Sequence, residues 1–452
     1  MTTPVVDFLN RYSESDYIRL HMPGHKGRST DDFFRYDITE IDGADNLFDP
    51  KGIILESMKN ASELFSSHTY YSCEGSSLCI RAMIYLAMLE YKRIHNEEGY
   101  ILAFRNVHKS FVSAIALLGI DVEWITSDVP NYLSCPISPD ELEKYLKIKE
   151  KKPAAVYVTS PDYLGNILDI KGLAEVCHRE GTMLLVDNAH GAYLKFLKNS
   201  LHPIDLGADI CCDSAHKTLD ALTGTAYLHV SDNCSEFIFN SVFRALALFA
   251  STSPSYMLIR SLDALNAHLS NNYPLELQLL EDKINKIKEE LSLHGYRLLG
   301  NEPLKITIDA GDYGYSGTEF YSLLMKNKII CEYYDKQYIV IMISVSNTYK
   351  ETEHLLKTLL SIKKKPSLVN NPPAFSLPVA SIKPFDAIRS MTEEVKVSKK
   401  IIGSVAGDII FNCPPAVPIV ICGEIIDYNI YSALKYYGYK TCNIVKNPDK
   451  LD

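Results

Sequence analysis

MLLVDNAHGAY, residues 183–193, and DSAHKTLDALTG, residues 213–224, are the stretches whose reading decides the fold. In the first, an apolar run of strand length ends in an acid, Asp187, and breaks into small and polar residues. In the second, residues 208–212 read as a buried strand that passes directly into Ser214, His216 and Lys217. A strand that stops at a polar loop is the pattern of an open α/β sheet whose carboxyl edge carries the ligand site. Working outward, residues 101–104, 154–159 and 226–230 are further short apolar runs, while 76–91, 110–118 and 170–180 have helical spacing. Strands alternating with helices over residues 41–290 predict a large α/β domain with a mostly parallel sheet.

Residues 1–40 are rich in turn formers and charge and read as an arm. Beyond a helical stretch at 274–293, residues 291–365 predict a small α/β domain with strands at 304–308, 329–334 and 338–343. Residues 363–373, KKKPSLVNNPP, read as a linker. Residues 366–452 form a third, α+β region, with a strand and a helix expected over 423–439. Hydrophobic residues make up 46% and charged residues 23% of the 452, enough for a soluble protein with a large core. A net charge of -10 argues against a nucleic-acid partner. The opening MTTPVVDFLNRYSESDYIRL lacks the apolar core of an export signal, and no uncharged run approaches the ~18 residues of a membrane helix. A cytoplasmic protein without a membrane partner is expected. Eleven cysteines without a C-x-x-C pair predict reduced thiols and no metal centre.

Four pieces carry chemistry. Lys217, just past a strand, sits where desolvation would lower an amine's pKa and favour attack on an aldehyde, with Ser214 and His216 as donors to a neighbouring anion. A surface lysine at a strand end is an equal reading of that segment alone. Asp187 suits a carboxylate that keeps a pyridine nitrogen protonated, though taken alone it reads equally as a helix cap. Gly75, Ser76 and Ser77 precede a long helical pattern, where free N–H groups and hydroxyls suit a phosphate; an ordinary N-terminus needs no ligand. His108, after a predicted strand, suits a ring stacked on a planar cofactor, or a plain cap or core histidine. In chain order these are phosphate cup, stacking ring, pyridine acid and Schiff-base lysine, the order of an aspartate-aminotransferase-like (fold type I) domain for pyridoxal 5′-phosphate (PLP).

The chain also resembles the bacterial ornithine/lysine/arginine decarboxylases, in the short form without an N-terminal wing domain. The resemblance rests on HMPGHKGR (21–28), DITEIDGADNLFDPKGII (37–54), NVHKSFVSAIALLG (106–119), VTSPDYLGNILDI (158–170), LLVDNAHGA (184–192), SAHKTLDALTG (214–224), STSPSYMLIRSLD (251–263) and CPPAVPIVICGEII (413–426). It implies decarboxylation of arginine, lysine or ornithine to the matching amine of polyamine metabolism. Lys217 would hold PLP as a Schiff base, Asp187 would face its nitrogen and His108 its ring. Ser76, Ser77, Ser214 and His216 would surround the phosphate, with His190 beside the cofactor. Thr252 would reach the neighbouring subunit's phosphate in a homodimer with composite sites, itself able to assemble further. The substrate's distal cation would need an acid, for which Glu424, Glu40, Asp42 and Asp45 are candidates.

The departures are DNAHG where the family usually has DEAHG, Asp220 and Gly224 where HKTLPALTQ is usual, Cys79 in place of a glycine, and HKGR in the arm. Lys217 and Asp187 are both kept. Two other readings stay open: another fold type I reaction, such as an aminotransferase, aldolase or oxidative deaminase, and a silent regulatory paralogue. Residues 304–360 hold no arginine to grip an α-carboxylate, which weighs against an aminotransferase.

Overall fold

The computed structural model describes residues 1–127, 131–368, 372–373 and 375–446. The strands in chain order are β1 (His68–Ser72), β2 (Tyr100–Phe104), β3 (Asp121–Ile125), β4 (Ala155–Thr159), β5 (Met183–Asp187), β6 (Ile210–Asp213) and β7 (Ala226–Val230). They continue with β8 (Leu298–Leu299), β9 (Lys305–Asp309), β10 (Tyr333–Tyr334) and β11 (Tyr338–Met342). The chain forms two compact units, Met1–Glu98 with Ile170–Gln278, and Gly99–Asp169 with Leu279–Asp452.

In the first unit the strand order is β1-β7-β6-β5. β5 and β6 are parallel, with Leu185, Val186 and Asp187 opposite Ile210, Cys211 and Cys212. β7 runs antiparallel to both β6 and β1. All of β6 and β7, and β5 past Met183, are buried, which is why these strands read as unbroken apolar runs and not as alternating ones. Because β5 and β6 are parallel and in step, the chain leaves both at the same edge. Asp187 and the Ser214–Lys217 segment therefore emerge side by side.

Helix Ile53–Phe65 packs on this sheet, and helix Pro4–Ser13 packs on that helix. Pro4–Ser13, inside the predicted arm, starts with a proline in its first turn and buries Val5 and Leu9, spaced one helical turn apart. The N–H groups of Val5 and Val6 both donate to the buried carboxylate of Asp263, at 2.9 and 3.0 Å. Helix Ile53–Phe65 ends on Ser66 in the left-handed region and delivers a fully buried Phe65. That ring packs against Tyr227, His229, His202 and Phe196 with centroids 4.4 to 5.6 Å away. Burial of such a side chain is worth roughly 1.5–3 kcal/mol.

The second unit carries β4-β2-β3, all parallel, and the antiparallel order β10-β11-β9-β8. Helix Lys109–Leu118 follows β2 and stops at Gly119, whose φ of +69° lets it close the last turn. Toward the C-terminus, Thr392–Lys396 pairs antiparallel with Thr441–Val445, and Ile410–Phe411 with Pro418–Val420. Helix Tyr428–Tyr436 buries Ile430 and Leu434 in a cluster with Ile419 and Val420. The predicted linker is anchored at its start: Tyr315 donates to the Lys363 carbonyl at 2.7 Å, and Leu368 N–H to Gly311 O at 2.9 Å. Its residues 369–371 lie outside the described residues. Among the described residues no helix is long and apolar enough to cross a membrane.

Candidate active site

The first unit gathers most of the predicted residues at the edge where β5 and β6 end. Asp187 closes β5 and is buried. Its Oδ1 accepts the N–H of Ala189 at 3.2 Å and faces the Cys212 thiol, directly across the parallel pair, at 3.8 Å. His190 lies in the same turn and is buried. Past β6, Ser214 is buried and its Oγ donates to Ser76 Oγ at 2.9 Å.

Ser76 and Ser77 stand in the first turn of helix Gly75–His95, which no side chain caps. An uncapped first turn carries partial positive charge and amides that point outward. Gly75 takes φ +66° and donates its N–H to the Gly224 carbonyl at 2.7 Å; Gly224 itself sits at φ +99°. Two separate loops thus place hydroxyls at one helix start, an arrangement whose chemistry fits a phosphate.

Lys217 lies in the short helix Ala215–Thr218 and is exposed on the single chain. The burial expected of its amine from sequence is therefore not supplied by this chain alone. His216 is half-buried and donates Nδ1–H to the Thr225 carbonyl at 2.9 Å. Burial pulls its pKa below the ordinary value, and Lys217 beside it adds to the effect. Thr252 is exposed in the loop ahead of helix Tyr256–Leu269.

His108 belongs to the second unit and is half-buried. It is the N-cap of helix Lys109–Leu118, its Nδ1 accepting the Ser110 N–H at 3.2 Å, so the cap reading left open by the sequence is realised. Glu424 is also in the second unit and is buried with Arg105, whose guanidinium reaches it at 3.2 Å and donates to Pro418 O at 3.1 Å. Arg105 lies over the rings of Trp124 and Phe375 as well. Burial pushes the Glu424 carboxyl above its ordinary value and Arg105 opposes this. The pair commits Glu424 to the protein's own cation, which corrects the expectation of an acid open to a ligand.

Asp45 is corrected likewise. At φ +69° its carboxylate accepts N–H groups of Asn46, Lys51, Gly52, Ile54 and Leu55, at 2.8 to 3.3 Å. It organises the entry to helix Ile53–Phe65. Glu40 and Asp42 are exposed.

The sequence reading passed over Asp213, His202, His229 and Arg105. All four are buried. A carboxylate at the end of an apolar strand, two residues after Cys211, was a signal for Asp213; nothing local marked the two histidines that meet it.

Residues 3–294 match the sequence model of the family described as Orn/Lys/Arg decarboxylase, major domain. A protein of Halalkalibacterium halodurans named arginine decarboxylase is 30% identical, covering 94% of this chain and 91% of that one. An arginine decarboxylase of Bacillus subtilis is 28% identical, over 94% and 91%. Among solved structures, the constitutive lysine decarboxylase of E. coli covers 98% of this chain and 82% of its own, with TM-score 0.77 at 16% identity. Lysine decarboxylase A from Pseudomonas aeruginosa gives TM-score 0.79 at 17% identity, over 98% and 80%. At such identity the structures speak for the fold.

Proposed function

We propose that this chain, which belongs to the Orn/Lys/Arg decarboxylase family, decarboxylates arginine to agmatine. The family makes it a PLP-dependent amino-acid decarboxylase, and its fold is the type I fold of that class. Bound PLP supplies a protonated ring that takes up the electron pair left when carbon dioxide departs.

The protein's part is to hold and orient. In our reading Lys217 is the amine that joins the cofactor's aldehyde. Asp187 holds the proton on the pyridine nitrogen, and its burial strengthens that pairing. Ser76, Ser77, Ser214 and His216 grip the phosphate with the first turn of helix Gly75–His95. His108 covers the ring and His190 stands beside it. The observation that carries this reading is the parallel pairing of β5 with β6, which sends an acid and an amine out of one sheet edge beside a pair of bonded serines.

Arginine is favoured because relatives that match over nine-tenths of their own length bear the name arginine decarboxylase. With Asp45 and Glu424 committed elsewhere, we assign the guanidinium's partner to Glu40 or Asp42. Lys217 and Thr252 are both exposed on the single chain, which suits a homodimer in which Thr252 serves the neighbouring phosphate. The eleven cysteines stand as free thiols, in keeping with a reducing cytoplasm.

The test is to incubate the PLP-loaded protein with arginine, lysine and ornithine separately and identify the amine by mass spectrometry. Agmatine with carbon dioxide is expected. Cadaverine or putrescine instead would move the substrate, and a keto acid would remove the decarboxylase reading.

A further inference from the structure

Behind the edge that carries Asp187 and Lys217 lies a buried acid that the reaction does not use. Asp213 is the last residue of β6 and is fully buried. Its Oδ1 accepts Nδ2–H of Asn188 at 2.6 Å. Its Oδ2 accepts from Nε2 of His202 at 3.1 Å and of His229 at 3.2 Å. Asn188, His202 and His229 are all fully buried too. Nδ1 of His229 meets Thr69 Oγ1 on β1 at 2.9 Å. The carboxylate of β6 is thus linked through His229 to β7 and β1, and through Asn188 to the turn after β5.

Burial disfavours the charge on Asp213, and the two imidazoles outweigh it, holding the carboxyl well below the usual range. Such a group is tolerated only while its donors stay in place. Asn188 is closely surrounded as well: a Cβ on Gly191 would fall 2.0 Å from its Oδ1. Asn188 follows Asp187 directly, and Asp213 precedes Ser214 directly. The bond between them therefore joins the two turns that carry the acid and the amine.

We infer that Asn188 and Asp213 form an amide–acid clasp that sets the Asp187 turn against the Lys217 turn, with His202 and His229 as the donors that stabilise it. This rests on the roles given above to Asp187 and Lys217. The clasp residues touch neither cofactor nor substrate; they are positioning residues.

An exchange experiment tests this. Asn188→Asp faces two carboxylates at hydrogen-bond distance, and Asp213→Asn leaves two amides and removes the charge. In the double variant the asparagine at 213 can donate to the acid at 188 and offer its oxygen to both imidazoles, so the clasp bond re-forms, although the charge moves away from the two histidines. Each single variant is expected to weaken PLP binding by about tenfold or more, a loss of one buried charge-assisted bond. The visible absorbance band and its pH midpoint should shift with it. The exchanged pair should recover part of the loss and bind PLP more tightly than either single variant.

Should Asn188→Asp fail to fold, Asn188→Ala removes the clasp without adding charge and takes its place. Singles that fold, by far-UV circular dichroism, yet bind PLP with unchanged affinity and spectrum overturn the clasp. So does an exchanged pair no better than the singles. His202, Cys211 and Asp213 hold ligand atoms within 4.8 Å of one another. A stoichiometric divalent metal on purified protein, removable together with the band, would overturn it also. Failure of the Lys217 assignment is separate, since it appears as a visible band that survives loss of Lys217.

Discussion

Lys217 is exposed on the isolated chain, so the reactivity proposed for it would have to come from what covers it in the assembled, PLP-loaded protein. Lys217→Ala should leave the fold intact and abolish the visible absorbance of PLP-loaded protein near neutral pH; a band that persists would end the assignment. Glu424 behaves in the opposite way, with nothing left to offer outside. Removing it by Glu424→Ala strands the Arg105 guanidinium in the interior. A loss of about 3–5 kcal/mol in urea unfolding is expected. Replacing both residues by apolar ones of similar size should cost less than either single change, because no charge is then left unpaired. Equal costs for the single and double changes would show that packing, and not the ion pair, sets the stability there.

Asp45 shows how a turn residue can govern an element. Burial raises its carboxyl, but the N–H groups of Lys51, Asn46, Gly52 and Leu55 outweigh that and hold it below 3.8. Asp45→Ala should therefore destabilise the protein by about 1 kcal/mol at neutral pH, as loss of a helix cap does. A pKa lowered by folding contributes stability above the unfolded value and loses it as pH falls through the folded one. The difference between wild type and variant, measured by urea unfolding, should thus shrink below pH 3.8. A constant difference down to pH 2 would contradict it. That role was not legible in the sequence, because an acid in IDGAD looks the same whether it faces solvent or folds back on five amides. Strands β5 and β7 were legible, since both are apolar nearly throughout. β3 was not: DVEWI carries two acids and is only partly buried. β1, HTYYS, was hidden by its polar atoms, which its neighbours satisfy; Thr69, for instance, bonds His229. Helix Pro4–Ser13 was lost among charges, although Val5 and Leu9 at a spacing of four were its signal.

For the whole molecule, the order of the four chemical pieces along the chain was readable from sequence, while the depth of each was not. Asp187 and Ser214 are buried, a depth that the motifs did not state. The motifs gave Lys217 a burial that the single chain does not provide. If Thr252 acts across a dimer, mixing Lys217→Ala with Thr252→Asp should recover activity from hybrid dimers. Each hybrid holds one site with both native residues, giving up to about a quarter of wild-type turnover. No recovery after subunit exchange is shown by mass would end the role of Thr252 across the dimer. Finally, Gly224 sits at φ +99°, with its carbonyl taken by Gly75. A side chain there meets strain of about 1–3 kcal/mol. Transplanting the glutamine common in related sequences should accordingly fail on its own. Glycine meets this turn without strain, and any other residue would pull the loop that holds Gly75 toward a different path.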